Sequence, residues 1–337
     1  MKRIFITGTA GFIGYHLANT LLEAGDYVHG FDGMTDYYDV TLKERRHELL
    51  HQHPNFSATI GRLENAQQLH SAAEAFRPNV IIHLAAQAGV RYSLENPRAY
   101  IDSNIVGTFN VLEAARLLEP EHLLMASTSS VYGANTDMPF SELDKADTPL
   151  TMYAATKKAN ESMAHCYAHL WNLPTTMFRF FTVYGPWGRP DLALFKFVDA
   201  MLDDRPIDIY NHGQMYRDFT YVTDLAKSIQ LLVQAAPETP KAGEDMPHWD
   251  NLSPVAPFRV VNIGNTKKVR LLEFVDAIED ELGVSVRRNY MDMQKGDVPA
   301  TWANTDALFN LTGYRPDTDY KVGISLFINW FREYYGK

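Results

Sequence analysis

Short apolar segments alternate with longer amphipathic stretches through the first 180 residues of the chain. The apolar segments, which predict buried strands, are RIFITG, YVHGFD, FSATIG, NVIIHLAA, HLLMAST and TTMFRFF. In the stretches between them, apolar residues recur every three or four positions, which predicts helices in GYHLANTLLEAG, AQQLHSAAEAF, NIVGTFNVLEAARLL and AATKKANESMAHCYAHLW. This order of elements predicts an α/β fold in which a doubly wound parallel sheet carries helices on both faces.

The pattern loosens after about residue 180 into loops and shorter elements. Segment 236–257, APETPKAGEDMPHWDNLSPVAP, has five prolines and little periodicity, so we expect an exposed loop there. SLFINWFREYYG, near the end of the chain, predicts a closing amphipathic helix. We therefore expect two units, 1–180 and 181–337, of which the second is a smaller α/β lobe partly interleaved with the first.

Composition and charge limit the classes of protein to which the chain can belong. Apolar residues make up 46% of the 337 residues, enough for a sizeable core. The formal net charge of −10 argues against a nucleic-acid partner. Cys166 is the one cysteine, so no internal disulfide can form and a reducing compartment is favoured. We see no signal peptide and no run near the ~18 apolar residues of a membrane span, so we expect a cytoplasmic protein without a membrane partner.

A glycine-rich turn follows the first predicted strand. ITGTAGFIG places Gly8, Gly11 and Gly14 where a tight turn, a close approach of the backbone to a pyrophosphate, and close strand–helix packing are needed. The N-terminus of the next helix offers unpaired N–H groups to the phosphates. Asp32 ends the second strand, 24 positions after Gly8; an acid there bonds the adenosine ribose hydroxyls and repels a 2′-phosphate. The pattern predicts a Rossmann sheet that binds NAD rather than NADP, the alternative being that Asp32 only caps the following loop.

The polar stretch after Asp32 contains two further candidates. Lys43 and Arg46 could reach a phosphate, or they could be solvated charges on a helix face. HELLH, residues 47–51, matches the HExxH pattern of zinc proteases. Its surroundings are polar and basic, Pro54 ends the stretch, and the sequence gives no clear third ligand, so we expect a solvated helix and no metal.

YAATKK puts Tyr153 and Lys157 four positions apart at the start of a helical pattern, hence on one face of the helix. A lysine beside a phenol favours the phenolate and so prepares the tyrosine as a general base. A tyrosine and a lysine at this spacing, without other motifs, are by default a surface feature without function. The glycine-rich turn and the hydroxyl-rich segment ASTSSVYG, residues 126–133, make a catalytic pair the better interpretation.

Seven motifs resemble one protein family. They are TGxxGxxG at 7–14, HLAA at 83–86, SNIVGT at 103–108, YAATK at 153–157, RFFTVYGPWGRPD at 179–191, YRDFTYVTDL at 216–225 and KGDVPAT at 295–301. The chain resembles, over nearly its whole length, the extended short-chain dehydrogenase/reductases, and among them the nucleotide-sugar epimerases and dehydratases. FDGMTDYYDVTLKERR, QAGVRYSLENP and FFTVYGPWGRPD most resemble the UDP-glucuronate 4-epimerases.

The resemblance implies an isomerase that interconverts UDP-glucuronate and UDP-galacturonate. Enzyme-bound NAD would oxidise C4, the 4-keto sugar would turn over in its site, and hydride would return to the other face. Residues 1–180 would hold NAD and the catalytic pair, and residues 181–337 would mainly bind the UDP-sugar. A homodimer would form through the outer faces of the helices around 99–118 and 153–171.

The resemblance also implies three groups of site residues. The catalytic set would be Thr128, Tyr153 and Lys157. NAD would be surrounded by Gly8, Gly11, Phe12, Ile13, Gly14, Asp32, Lys43, Leu84, Ala85, Asn104, Tyr153 and Lys157. The UDP-sugar would contact Thr128, Ser129, Ser130, Thr182, Arg189, Tyr210, Arg217 and Asp297. Arg91 would bind a carboxylate or phosphate, or form a structural salt bridge.

The hydroxyls before VYG distinguish between the family's reactions. The family's 4,6-dehydratases carry Asp and Glu where this chain has Ser129 and Ser130, and its UDP-glucuronate decarboxylases carry a Glu there. Small donors can hold a substrate carboxylate without a competing acid. Thr182 stands where glucose-type epimerases carry Asn. Three alternatives remain: a 4-epimerase of neutral UDP-glucose or UDP-GlcNAc, a UDP-glucuronate decarboxylase, and a non-enzymatic NAD-binding regulator.

The chain departs from the family pattern at two positions. Arg62 replaces the Asp that usually follows the glycine of GRLEN and meets the adenine, which puts that contact in doubt. Asn304 replaces the usual acid near WANTD, with an effect that the sequence does not predict. Both lie outside the expected reaction centre.

Overall fold

A computed structural model describes residues 1–241 and 245–337 of the chain. The strands are β1 (Arg3–Thr7), β2 (Tyr27–Asp32), β3 (Phe56–Ile60), β4 (Val80–His83), β5 (His122–Ala126), β6 (Thr175–Phe180), β7 (Thr182–Tyr184), β8 (Ile207–Tyr210), β9 (Tyr216–Tyr221), β10 (Phe258–Ile263), β11 (Lys268–Arg270), β12 (Arg288–Met291) and β13 (Ala300–Thr301). The helices are α1 (Phe12–Glu23), α2 (Val40–His51), α3 (Ala66–Phe76), α4 (Tyr92–Glu95), α5 (Pro97–Tyr100), α6 (Gly107–Leu118), α7 (Met152–Trp171), α8 (Ala193–Leu202), α9 (Val222–Leu232), α10 (Leu271–Leu282), α11 (Asp306–Thr312) and α12 (Tyr320–Tyr335).

Seven parallel strands form the central sheet, in the order β10-β6-β5-β4-β1-β2-β3. The six strands and four helices predicted in the first 180 residues are confirmed, with boundaries that differ by a few residues. Side chains from both faces of the sheet are fully buried, such as Ile4 and Phe5 on β1, because helices cover each face. The strand order reverses beside β1, and in open parallel sheets this is where a crevice opens at the carboxyl ends of the strands.

The second half of the chain both completes this sheet and builds a smaller lobe. Strand β10 pairs with β6 at the edge of the sheet, and α9 packs against α1. The lobe contains the sheet β11-β9-β13, with β7 also paired to β9, and a separate pair β12-β8. Its core is aromatic, and Phe219 and Phe274 stack at 3.8 Å. The closing helix predicted from SLFINWFREYYG is confirmed as α12, of 16 residues. Helices α8, α9 and α10, of 10, 11 and 12 residues, make this half more regular than the loosened pattern predicts.

The proline-rich segment 236–257 is only partly the exposed loop that the sequence predicts. Its residues 242–244 lie outside the described part. Further along, Asp250 forms two hydrogen bonds of 2.9 Å with the guanidinium of Arg259. Asn251 bonds both backbone groups of Val260, and the Ser253 N–H donates to the Phe258 carbonyl at 2.9 Å. The segment therefore pairs with strand β10 through side chains and backbone instead of remaining in solvent.

The HExxH segment lies at the end of α2. The Nε2 atoms of His47 and His51 are 3.0 Å apart. Within residues 1–241 and 245–337, no three His, Cys, Asp or Glu side chains are grouped so that they could hold a metal ion. Over the same residues, no helix combines the length and the apolar character that crossing a membrane requires.

Candidate active site

The glycine-rich turn joins β1 to α1 in a conformation that only glycine can adopt. Gly8 has a φ of +89°, and a Cβ there would lie 2.9 Å from the backbone N of Ala85. A Cβ on Gly14 would lie 2.0 Å from the Gly8 carbonyl oxygen, so strand and helix can approach only without side chains. Gly11 precedes the helix, whose N-terminus carries no side-chain cap. The free N–H groups of this first turn are suited to an anionic ligand.

A deep cleft runs along the carboxyl ends of the central strands. The predicted cofactor residues in its wall are Gly8, Gly11, Phe12, Ile13, Gly14, Asp32, Lys43, Leu84, Ala85, Tyr153 and Lys157. Asn104 is fully buried behind that wall. Its amide oxygen accepts the Gln87 N–H at 2.8 Å and its amide N–H donates to Thr156 at 3.1 Å. Asn104 therefore positions the loop after β4, which does line the cleft.

Asp32 both lines the cleft and orders the backbone around it. One carboxylate oxygen accepts the Ala10 N–H of the glycine-rich turn at 2.9 Å. The other accepts the Met34 N–H at 2.9 Å. Each oxygen keeps a further lone pair for a ligand. The two interpretations of Asp32, cofactor ligand and loop cap, are therefore compatible with one another.

Lys43 and Arg46 have structural partners that the sequence does not predict. The Lys43 ammonium donates to the Thr35 carbonyl at 2.5 Å, and burial lowers its pKa. Arg46 is fully buried. It donates to the Ala10 carbonyl at 2.9 Å and to the Trp187 carbonyl at 2.6 Å. The solvated helix face that we considered for Arg46 is therefore wrong, and Arg46 instead joins the glycine-rich turn to the second half of the chain.

Tyr153 and Lys157 lie on one face of α7, as their spacing predicts. The Lys157 ammonium is buried and donates to the Ala126 carbonyl at 2.8 Å, and burial lowers its pKa to about 8. Burial raises the pKa of Tyr153, whereas a hydrogen bond with Thr128 and the charge of Arg189 act to lower it. We expected Lys157 to lower the Tyr153 pKa directly. In this structure the ammonium is held instead by the end of β5, and Thr128 takes that role.

The four hydroxyls after β5 have two different environments. Ser127 is buried and donates to Glu161 at 2.6 Å. Thr128 donates to the Ser130 hydroxyl at 3.2 Å and accepts the Ser130 N–H at 3.2 Å, which caps a short 3₁₀ turn. Ser129 and Ser130 are partly exposed. The tip of β5 therefore presents neutral hydroxyl groups beside Tyr153, and its sequence supplies no carboxylic acid.

A buried ion pair supports this tip from behind, and sequence reasoning did not find it. Glu161 and Arg179 form two hydrogen bonds of 2.8 and 2.9 Å, and both side chains are almost completely buried. The Arg179 guanidinium lies 4.7 Å from the centre of the Tyr132 ring, whose hydroxyl donates to Asn262 at 2.8 Å. One feature of the sequence could have indicated this ion pair, namely the charged residue Arg179 inside the otherwise apolar strand TTMFRFF.

Four predicted substrate residues meet at the edge of the smaller lobe. Arg217 lies 3.2 Å from one Asp297 oxygen, and Arg91 lies 3.7 Å from the other. The Arg91 guanidinium also lies 4.5 Å from the centre of the Tyr210 ring. Both interpretations of Arg91 are therefore compatible with the structure, since its salt bridge is part of the predicted ligand site.

Three other positions fall outside this group. Arg189 lines the cleft and pairs with Asp191 through hydrogen bonds of 2.7 and 2.9 Å. Thr182 begins β7 and is partly buried. Asn304 accepts the Asp306 N–H at 2.8 Å near the start of α11, so it acts as a local turn residue.

Comparison with known proteins gives the family. The model of the NAD dependent epimerase/dehydratase family matches residues 4–246. The chain belongs to this family. The family's dependence on NAD agrees with the glycine-rich turn and with Asp32, and the chain is an NAD-dependent enzyme of the epimerase/dehydratase type.

Two relatives and one solved structure of this family resemble the chain over almost its whole length. A probable UDP-glucuronate 4-epimerase of Rhizobium meliloti (strain 1021) is 55% identical over 333 residues, which are 99% of this chain and 98% of the relative. UDP-glucuronate 4-epimerase 1 of Arabidopsis thaliana is 42% identical over 339 residues, 99% of this chain and 77% of the relative. The crystal structure of UDP-glucuronic acid 4-epimerase from Bacillus cereus, in complex with UDP-glucuronic acid and NAD, superposes with a TM-score of 0.87 at 29% identity and covers 98% of this chain and 99% of that one.

Proposed function

We propose that this protein is a UDP-glucuronate 4-epimerase, which interconverts UDP-glucuronate and UDP-galacturonate. The observation that carries the proposal is the tip of β5, where hydroxyls without an acid stand beside Tyr153 and the buried Lys157. The likeness to relatives that bear this name supports the same substrate.

Inversion at C4 requires the removal and return of one proton and one hydride. Bound NAD would supply a reversible acceptor for the C4 hydride. Tyr153 takes the proton of the C4 hydroxyl and returns it when the carbonyl is reduced. Burial raises the pKa of the Tyr153 phenol, and the Thr128 hydroxyl and the charge of Arg189 act to lower it. The buried Lys157 ammonium lies one helical turn away and is held by the Ala126 carbonyl. The pair can thus work as base in one direction and as acid in the other.

The hydroxyl tip explains why the reaction stops at epimerisation. Oxidation of a glucuronate at C4 gives a β-keto acid, which loses CO₂ readily. Ser129, Ser130 and Thr182 can donate hydrogen bonds to the carboxylate, and a charge-assisted bond contributes about 1.5–3 kcal/mol. Held in this way, the carboxylate stays out of the orientation that favours C–C cleavage.

The cluster at the edge of the smaller lobe is suited to the nucleotide. Arg91 and Arg217 carry two positive charges with one compensating carboxylate between them, Asp297. A diphosphate can replace part of that pairing, and Asp297 can then accept bonds from ribose hydroxyls. The Tyr210 ring offers an apolar face for the uracil.

Product analysis with UDP-glucuronate tests the proposal. We expect UDP-galacturonate to form until it reaches equilibrium with UDP-glucuronate, without release of CO₂. UDP-xylose or a 4-keto pentose would identify a decarboxylase instead. Faster turnover of UDP-glucose or UDP-GlcNAc would identify an epimerase of neutral sugars, and bound NAD without turnover of any of them would indicate a regulator.

Tyr153→Phe tests the assignment of the base. The variant should lose at least about 1000-fold in kcat, within the range that general acid–base catalysis supplies, while it still binds NAD. Tyr167→Phe is the matched control, because Tyr167 lies on the same helix and bonds Glu113 outside the cleft. An active Tyr153→Phe enzyme would refute the assignment.

We also infer a homodimer that is located in the cytoplasm. Helices α6 and α7 expose large apolar side chains on their outer faces, including Phe109, Leu117, Leu170 and Trp171. Pairing of two copies through these faces would bury them. Sedimentation of the purified protein measures the oligomeric state, and cell fractionation measures the location.

A further inference from the structure

The residues after strand β3 form a charged wall at one end of the cofactor cleft. Ile60 ends β3 directly beside Asp32 in the strand register. The next residues, 61–64, line the cleft. Arg62 and Glu64 pair there through two hydrogen bonds, from Nε at 3.2 Å and from Nη2 at 3.0 Å. Arg62 is one of the two positions at which the sequence departs from its family.

The location of the pair relative to the cofactor follows from the fold. In a Rossmann sheet the adenosine half of the dinucleotide lies at the carboxyl end of β2, where the acid meets the ribose hydroxyls. The carboxylate of Asp32 is fixed there by two backbone amides. A Cβ on Gly33 would lie 3.2 Å from Cδ of Arg62, so the arginine stem passes over the residue next to Asp32. The family's acid at this position meets the adenine, and Arg62 also passes over the residue next to Asp32, near which NADP-binding proteins carry an arginine for the 2′-phosphate.

The pairing with Glu64 decides whether Arg62 can do so. A guanidinium matches phosphate through the same two-pronged geometry with which it matches a carboxylate. The two N–H groups of Arg62 that face Glu64, on Nε and Nη2, already donate to its carboxylate. With Asp32 the pair carries two negative charges and one positive charge, and Lys43 and Asp36 nearby add one charge of each sign. A 2′-phosphate would meet a net negative site and an arginine that is already paired.

We propose that Glu64 is a specificity-determining residue, which keeps Arg62 paired and so maintains the selectivity for NAD over NADP. The proposal rests on the use of NAD but not on the identity of the sugar. The guanidinium of Arg62 is suited to a phosphate, but its partner in this protein is the carboxylate of Glu64. Loss of the Glu64 charge would leave equal numbers of negative and positive charges beside the ribose, with the guanidinium free for a 2′-phosphate.

The side chain of Arg62 is 57% exposed and that of Glu64 is 23% exposed, so the pair contributes little to stability and its variants should fold. Glu48→Gln is the matched control, because Glu48 forms a similar exposed pair with Arg45 on α2 and its loss changes the net charge equally. The double variant Glu64→Gln/Arg62→Gln separates the release of Arg62 from the loss of a negative charge.

The experiment measures NAD and NADP affinity by titration calorimetry of the four NAD-stripped proteins, without sugar nucleotide. Glu64→Gln should bind NADP about tenfold or more tightly than the wild type, the gain of one charge-assisted contact, with NAD affinity changed by less than about threefold. The gain should shrink at high salt. The double variant and Glu48→Gln should lack the gain.

Two results would overturn the proposal. Unchanged NADP affinity in Glu64→Gln would mean that the pair does not control selectivity. A gain that persists in the double variant would mean that charge alone acts and that Arg62 binds no phosphate. Absence of NAD binding in the wild type would overturn the use of NAD as well, whereas a different sugar product would affect only the proposed function.

Discussion

At the scale of single residues, the buried charge of Lys157 in the proposed catalytic pair lowers the stability of the folded protein. Its ammonium is 2% exposed and has the Ala126 carbonyl as acceptor. Burial lowers its pKa from 10.5 to about 8. Between these two pH values the unfolded chain binds more protons than the folded protein, so stability rises with pH across that window. Below pH 8 both states are protonated and the folded protein bears the full cost of burying the charge.

Lys157→Met should therefore raise the free energy of unfolding at pH 7. Removal of the buried charge should stabilise the fold by about 3 kcal/mol, the free energy that corresponds to the lowered pKa, and the lost hydrogen bond should destabilise it by about 1 kcal/mol. We therefore expect the free energy of unfolding to rise by about 2 kcal/mol. The variant should also lose turnover. Urea unfolding of both NAD-free proteins between pH 7 and 10.5 measures it, and the variant should lack the rise above pH 8. A variant that is less stable than the wild type at pH 7 would contradict the argument.

The residues that sequence could identify differ physically from those that it missed. Gly8, Gly14 and the Tyr153–Lys157 pair belong to short motifs, whose spacing is set by local backbone geometry. Arg46 and Arg179 have partners 141 and 18 positions away. No local spacing reports such contacts, because they exist only once the chain has folded.

At the scale of elements, helix α7 holds the end of strand β5 over two successive turns. Lys157 bonds the Ala126 carbonyl, and one turn later Glu161 accepts the Ser127 hydroxyl at 2.6 Å. Thr128 is the next residue of the strand tip. The helix that carries the proposed base therefore also fixes the strand tip that carries Thr128, so the relative positions of Tyr153 and Thr128 depend on these two contacts.

Ser127→Ala removes the second of these contacts and leaves both side chains of the buried Glu161–Arg179 pair in place. We expect kcat to fall about tenfold while KM changes little, because a small misplacement of Thr128 acts on the reaction and not on nucleotide binding. Ser228→Ala is the control, since Ser228 is also buried and donates to a helix carbonyl away from the site. Equal kcat in the two variants would show that the contact does not position the tip.

Most elements of the central sheet could be predicted, and those of the smaller lobe, apart from its closing helix α12, could not. Strands such as β4 and β5 are buried on both faces and are thus continuous apolar runs. In the lobe, β13 has two residues and β7 three, too few for any periodicity to register. These strands are determined by their partner β9 rather than by their own sequence.

At the scale of the whole molecule, Arg46 joins three distant parts of the chain. It lies on α2, bonds the carbonyl of Ala10 in the glycine-rich turn, and bonds the carbonyl of Trp187 in the second half. The Trp187 ring in turn lies 5.3 Å from that of Trp330 on α12. The shape of the glycine-rich turn thus depends on the packing of the smaller lobe.

Arg46→Met should weaken the binding of NAD. The variant keeps an apolar stem but no donor for the Ala10 carbonyl, so we expect the NAD dissociation rate to rise about tenfold, the loss of one charge-assisted bond. Dilution of the NAD-loaded protein, followed by the protein-bound nucleotide over time, measures it. Arg45→Met, an adjacent exposed position, should leave the rate unchanged. Similar rates in both variants would rule out this role for Arg46.

The segment beside β10 has a consequence for the behaviour of the protein at high concentration. Strand β10 is the last strand on its side of the seven-stranded sheet, and an open strand edge is a template for pairing with another chain. Asn251 occupies both backbone groups of Val260, and the backbone of Ser253 occupies the Phe258 carbonyl. An asparagine side chain here imitates a neighbouring strand, so the edge is closed within one molecule and is protected from aggregation.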